Sequence, residues 1–145
     1  MNAKTEASLA PLWLRLTAAV YDFLPLLGLW FVATGLVLLA TGGGLDVKTT
    51  GGKLLVQSAV VLVTAAYFLA SWLRGGATIG MRAWRLRVVR ADGTALTLPQ
   101  ALLRFAVGWI SVVALGAGFW WCIIDREKRS WHDLAAGTVL VRVAR

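Results

Sequence analysis

Apolar positions along this chain are not spread at the spacing of a soluble amphipathic fold. They form long blocks separated by short polar or glycine-rich stretches. The first block runs from Leu12 to Ala40 and stops at Thr41-Gly42-Gly43-Gly44. The second covers residues 53–73, and a third apolar region covers residues 99–124. About 20 apolar residues in a helix cross a bilayer, so residues 12–40 and 53–73 predict two transmembrane helices. Pro11 stands where a helix can begin. Pro25 falls inside the first block and predicts a kink, which membrane helices tolerate when neighbours satisfy the freed carbonyl.

Between the second and third blocks the pattern changes. Residues 84–98 begin with Trp84-Arg85-Leu86-Arg87-Val88-Val89-Arg90 and continue through Asp92-Gly93 to Ala95-Leu96-Thr97-Leu98. Asp-Gly between such runs predicts a basic β-hairpin. Thr97 is placed to cap the next helix, with Pro99 in its first turn. Residues 138–143 are rich in β-branched side chains and predict a C-terminal strand. Residues 1–10 read as a polar N-terminal tail, with no cleavable signal pattern. The fold class expected is therefore an α-helical membrane protein with a small β-hairpin or three-stranded sheet, a single domain over residues 11–143.

The third region poses a topology conflict. If residues 74–98 are cytoplasmic, a straight third span exports Arg126, Lys128, Arg129, Arg142 and Arg145. The positive-inside rule wants both basic segments on one side. An isolated hairpin is only marginally stable, and the C-terminal strand is its natural partner, which also requires one side. Both objections vanish if residues 101–124 bend around Leu115–Gly118 and return, each arm about a dozen residues and about 18 Å long. A re-entrant or broken helical pair is thus favoured over a straight span, with both termini cytoplasmic.

Composition strengthens the membrane reading. Hydrophobic residues make up 59% and charged residues 15%, against about 25% charged in soluble domains. The net charge is +8. Basic loops beside anionic lipid account for it. Nucleic acid binding is not expected, because the bases form no single aromatic-interleaved face. The single cysteine, Cys122, lies in an apolar run and reads as a small hydrophobe. One His and one Cys cannot build a structural zinc site, and the glycine-rich stretches lack the context of a phosphate loop. Neither a cofactor, a metal nor enzymatic chemistry is expected.

The informative polar residues are those inside the apolar blocks. Arg15 and Asp22 are two helical turns apart on one face, about 10 Å along the axis. An ionisable residue at that depth costs about 2.5–3.5 kcal/mol and is a functional candidate by default. Arg15 is expected to lean back toward Asp22, with Arg104 as a second candidate partner. The alternative is a structural pair that fixes helix packing. His132 is a plausible titrating group, relaying protons with Asp133; the alternative has Asp133 capping a short helix or pairing with arginines.

An ordered set of motifs then stands out: Arg15, Asp22, Thr78-Ile79-Gly80-Met81-Arg82, Leu86-Arg87-Val88-Val89 with Asp92-Gly93, Arg104, and His132-Asp133-Leu134-Ala135-Ala136-Gly137-Thr138. This order resembles the RDD family of bacterial membrane proteins, over about Pro11 to Val143. The resemblance implies that Arg15, Asp22 and Asp133 are the signature arginine and aspartates, with Asp125 as the alternative to Asp133. Met81 stands where the family more usually has lysine. The family has no settled activity, and cation or proton exchange is suspected. The resemblance therefore implies a multi-pass protein of the inner or plasma membrane. One reading is a small cation or proton transporter acting as a homo-oligomer, with a site at Arg15, Asp22 and Asp133 supported by Arg104, Asp125 and His132. The other is a membrane-anchored assembly or partner-binding module without transport.

Overall fold

The computed structural model describes residues 8–143. Residues 1–7 of the expected tail, and Arg145 among the C-terminal bases, lie outside the described residues. Helix α1 spans Leu12–Ala40 and continues through Pro25. Helix α2 spans Thr50–Gly75, opened by Thr49, whose hydroxyl accepts from the Gly52 N–H. Both are long and apolar enough to cross a membrane. They run antiparallel and are tied at mid-length by the Trp30 indole N–H, which donates to Thr64 Oγ1 at 2.8 Å.

At the Leu12 end the chain builds a small cap outside these helices. A short helix α3 (Ile79–Ala83) leads into strand β2 (Leu86–Arg90). Strand β3 (Thr138–Arg142) pairs antiparallel with β2, with Val88 opposite Leu140. Strand β1 (Ser8–Leu9) pairs with the other edge of β3, giving the order β1-β3-β2. Inward side chains alternate along the strands, as a half-buried sheet requires. Leu86, Val88 and Leu140 meet Leu14, Ala18, Trp72 and Ala101 in one core. Each fully buried Leu or Val there contributes about 1.5–3 kcal/mol. The core thus fastens the sheet onto the ends of the membrane helices.

Two sequence expectations are corrected here. The N-terminal tail is not wholly a tail: Ser8 and Leu9 form β1, and Ala10 is fully buried beneath β3. The residue 84–98 hairpin does not close. The chain turns at Asp92-Gly93, but the residues after it do not pair back as a strand. Thr97 and Gln100 form a capping box that commits this stretch to starting helix α4 (Leu98–Val113). Among the described residues β2 pairs only with β3, so the C-terminal strand replaces the hairpin's second arm instead of adding to it.

The third region is a broken helical pair. Helix α4 is followed by α5 (Ala117–Ile124), bent from it by 99°. The bend lies at Leu115 and Gly116, both with positive φ, inside the predicted interval. Gly116 adopts this left-handed conformation without the steric cost a Cβ imposes. The arms are unequal, 16 and 8 residues. After α5 the chain returns to where α4 began. Helix α6 (Trp131–Ala136) packs there, and the Gln100 amide donates to the Ala136 carbonyl at 3.1 Å. Both ends of the third region therefore lie against the sheet.

Candidate functional site

The sheet end of the molecule holds a buried charge knot centred on Asp133. Ser130 caps α6 and Asp133 occupies its third position, forming a capping box. Asp133 Oδ2 accepts from the Ser130 N–H at 3.1 Å and from its hydroxyl at 2.8 Å. The same oxygen accepts from Arg15 Nη1 at 2.5 Å, while Oδ1 accepts from Arg104 Nη1. One carboxylate thus joins α1, α4 and α6. Arg104 also donates to Thr138 Oγ1 at 2.7 Å, reaching β3. Arg15 closes the network by donating to the carbonyls of Ala10 (3.2 Å) and Lys128 (2.7 Å). Asp133 is fully buried, and Arg104 is 2% exposed. Burial alone pushes the Asp133 carboxyl up, but the guanidiniums of Arg104 and Arg15 outweigh it and hold it well below the usual carboxylate range.

Asp22 forms a second, separate centre. Its Oδ1 accepts from the Tyr67 hydroxyl at 2.6 Å and from the Gly80 N–H at 2.8 Å. Its Oδ2 accepts from the Thr78 hydroxyl at 2.5 Å. These bonds latch α1 to α2 and to the start of α3. The expected pairing of Arg15 with Asp22 is therefore corrected: Arg15 points to the sheet end and bonds Asp133. Arg104, the second candidate for Asp22, also bonds Asp133. The reason is physical. Side chains on a helix lean toward its N-terminus, so Arg15, in the first turn of α1, leans toward the sheet end and away from Asp22 seven residues further along.

His132 and Asp125 also differ from expectation. His132 is buried beside the knot, and its Nε2 lies 2.9 Å from Ser130 Oγ. Nε2 is 4.0 Å from Asp133 Oδ1, too far for a direct proton relay. Burial, then the neighbouring Arg104 guanidinium, pushes the imidazole down to about 3 from 6.5. His132 is thus neutral near pH 7 and is no titrating group there. Between pH 6.5 and about 3 the unfolded chain takes up a proton that the folded chain does not, so stability falls as pH falls. The slope is up to about 1.4 kcal/mol per pH unit. Thermal melts of purified protein in detergent should show His132→Gln flattening this slope between pH 6 and 4; an unchanged slope would reject the assignment. Asp125 stays outside the knot. It accepts from the Arg129 backbone and side chain, which hold it below the usual carboxylate range.

Ser130 and Thr138 were not singled out from sequence as partners of the knot. Ser130-x-x-Asp133 is a capping-box pattern and was a usable signal; nothing local marks Thr138. Above the knot a cavity of about 270 Å³ lies between α1, α2 and α4. Its walls are mostly apolar and aromatic, with Asp22, Arg104 and His132 on its border.

The fold and the knot define a helical membrane protein in which one buried aspartate ties arginines from two membrane elements to a surface sheet. The RDD family model matches residues 9–137, and the chain belongs to that family. It is 30% identical over 138 residues to uncharacterized protein YckC of Bacillus subtilis, covering 89% of this chain and 82% of that one. It is 32% identical over 111 residues to apolipoprotein N-acyltransferase of Methylococcus capsulatus, covering 77% of this chain but only 22% of that protein. Uncharacterized protein RP437 of Rickettsia prowazekii is 27% identical over 93 residues, with 62% of this chain and 50% of that one covered. No solved structure matches the chain.

Proposed function

We propose that the chain is a membrane-anchored assembly module without transport or catalytic activity of its own. The observation that carries this reading is the state of its two buried acids. Asp133 is shared between two arginines, and Asp22 accepts three hydrogen bonds. Every oxygen of both carboxylates already accepts at least one hydrogen bond from the protein, and the knot of two guanidiniums and one carboxylate repels a cation. A match to 22% of a far longer protein also suits a module that accompanies other domains.

The sheet is the presenting surface. Arg74, Arg82, Arg85, Arg87, Arg126, Lys128 and Arg142 are exposed at that end, against Lys48, Lys53 and Asp46 around the opposite loop. By the positive-inside rule the sheet end is cytoplasmic, in the inner or plasma membrane, with both termini inside and anionic lipid beside it. A cytoplasm-active reporter fused after residue 145 should be active; an inactive but stably inserted fusion would reverse the orientation.

The competing reading is cation or proton transport by a homo-oligomer, and one observation favours it: Asp22 borders the cavity. Flux through purified protein in liposomes separates the two. We expect sodium and proton fluxes equal to those of empty liposomes. Asp22→Asn is expected to lower stability by about 1–3 kcal/mol through its weakened latch, with flux unchanged. Wild-type flux that disappears in a folded Asp22→Asn protein would replace this reading with transport.

A further inference from the structure

The sheet end of α2 gathers positive charge at one spot. The helix ends at Gly75, with Gly76 as its cap. Arg87 Nε donates to the Gly75 carbonyl at 3.2 Å. Arg82 Nη2 stands 3.1 Å from the position a Cβ would take on Gly75. Two guanidiniums, one from α3 and one from β2, thus meet at one glycine. Arg74 stands in the last turn of the same helix. All three arginines are exposed. The carbonyls at the helix end draw cations there, but they carry only about half a negative charge. Among the described residues no carboxylate forms an ion pair with Arg74, Arg82 or Arg87. Asp22, bonded to the Gly80 N–H two residues before Arg82, offsets one charge at most. Against three cations this leaves about one and a half positive charges unmatched.

Depth along the spans puts this spot at the level of lipid headgroups. Helix α3 is fixed to α1 by the bond from the Gly80 N–H to Asp22, 2.8 Å long. From Asp22 to Ala40, α1 rises about 27 Å, close to the hydrocarbon thickness of about 30 Å. Arg82, near the end of α3, therefore lies where hydrocarbon gives way to phosphate groups. Aromatic rings mark the same level. Trp84, which caps α3, packs edge-on against Trp13 at 6.2 Å and Tyr21 at 5.8 Å, both on α1. Rings with one apolar and one polar end collect at the membrane–water boundary.

We propose that Arg74, Arg82 and Arg87 form a binding site for the headgroup of an anionic phospholipid. The phosphate neutralises the unmatched charge, and the planar forks of the guanidiniums suit its oxygens. A zwitterionic lipid also carries a phosphate, but its ammonium adds positive charge where positive charge is already in excess. A soluble anion meets the same donors but lacks acyl chains to lie along the exposed apolar surface of the spans. The lipid is therefore the occupant. This site rests on the membrane-anchored reading above and adds to it a lipid that ties α2, α3 and β2 to one leaflet.

The test uses the full chain in detergent, titrated with equal amounts of dioleoyl phosphatidylglycerol and dioleoyl phosphatidylcholine. Native mass spectrometry counts the lipid bound. One phosphatidylglycerol per chain should bind about tenfold more tightly than phosphatidylcholine. Arg82→Gln with Arg87→Gln should cut that preference to about twofold or less. Arg126→Gln with Lys128→Gln removes as much charge from the loop joining α5 to α6, and should leave the preference unchanged. The four side chains are exposed, so both double variants should melt within about 2 °C of wild type. Equal binding of the two lipids by the wild type would overturn the proposal. So would an equal fall in both double variants, the mark of diffuse surface charge. Displacement of phosphatidylglycerol by inorganic phosphate at the same concentration would overturn the lipid assignment. Lipid preference is read separately from flux, so this site and the module reading can fail independently.

Discussion

Asp133→Asn should lower the melting midpoint by about 10 °C or more, the largest effect of any single substitution expected here. The change keeps the shape and removes the charge. Arg15 and Arg104 are then buried with no counter-ion, and the new amide N–H₂ meets donors on one side. Removing one partner of a buried ion pair costs about 3–5 kcal/mol. The cost is large because three elements meet on this one carboxylate, so its loss releases α6 and β3 from the membrane helices together. A companion variant distinguishes charge imbalance from general packing damage. Replacing the whole knot, with Arg15→Met, Arg104→Met and Asp133→Leu together, should be less destabilising than Asp133→Leu alone. Fluorescence-detected melts in detergent measure both. An Asp133→Asn protein melting within about 2 °C of wild type would show that the arginines are adequately solvated without it.

Gly80→Ala should be the second severe change. A Cβ at Gly80 would stand 2.0 Å from the Ala18 carbonyl oxygen and 2.9 Å from Asp22 Cγ. The nearest obstacle is backbone, so no side chain can swing aside. Helix α3 must lift from α1, and the Gly80 N–H then leaves Asp22 Oδ1. Overpacking by one methyl commonly costs about 1–3 kcal/mol, and the lost bond to a carboxylate adds about 1.5–3 kcal/mol. Gly28→Ala and Gly35→Ala are the controls. Both positions are helical with nothing within 4 Å of the added carbon, so alanine there should be neutral or stabilising by up to about 1 kcal/mol. Equal melting of Gly80→Ala and Gly28→Ala would refute the close approach of α3 to α1.

The Thr78-Ile79-Gly80 stretch shows why a motif can be visible before its role is. In the sequence it reads only as one of the ordered motifs that carry the family resemblance. In the fold each polar group has a use: Thr78 donates to Asp22 and caps α3 by accepting from Met81, and Gly80 lets the backbone reach Asp22. Asp22 was legible as exceptional because charge within an apolar block is costly. Its partners were not, because they lie 45 to 58 residues away.

The sequence by itself determined what depends on neighbours along the chain. Block length set the two spans, the Leu115–Gly118 break set the bend of the third region, and β-branched residues set the last strand. Excess bases on two segments required both ends of that region to share a side. The tertiary structure alone decided the pairings. Arg15 meets Asp133, 118 residues distant, and not Asp22 seven residues away. Helical periodicity assigns a residue to a face but says nothing of which element packs on that face. Likewise β2 pairs with β3 because the capping box at Thr97 claims the nearer segment for α4. Local patterns settle what each segment is; burial and charge compensation, which act across the whole chain, settle what it touches.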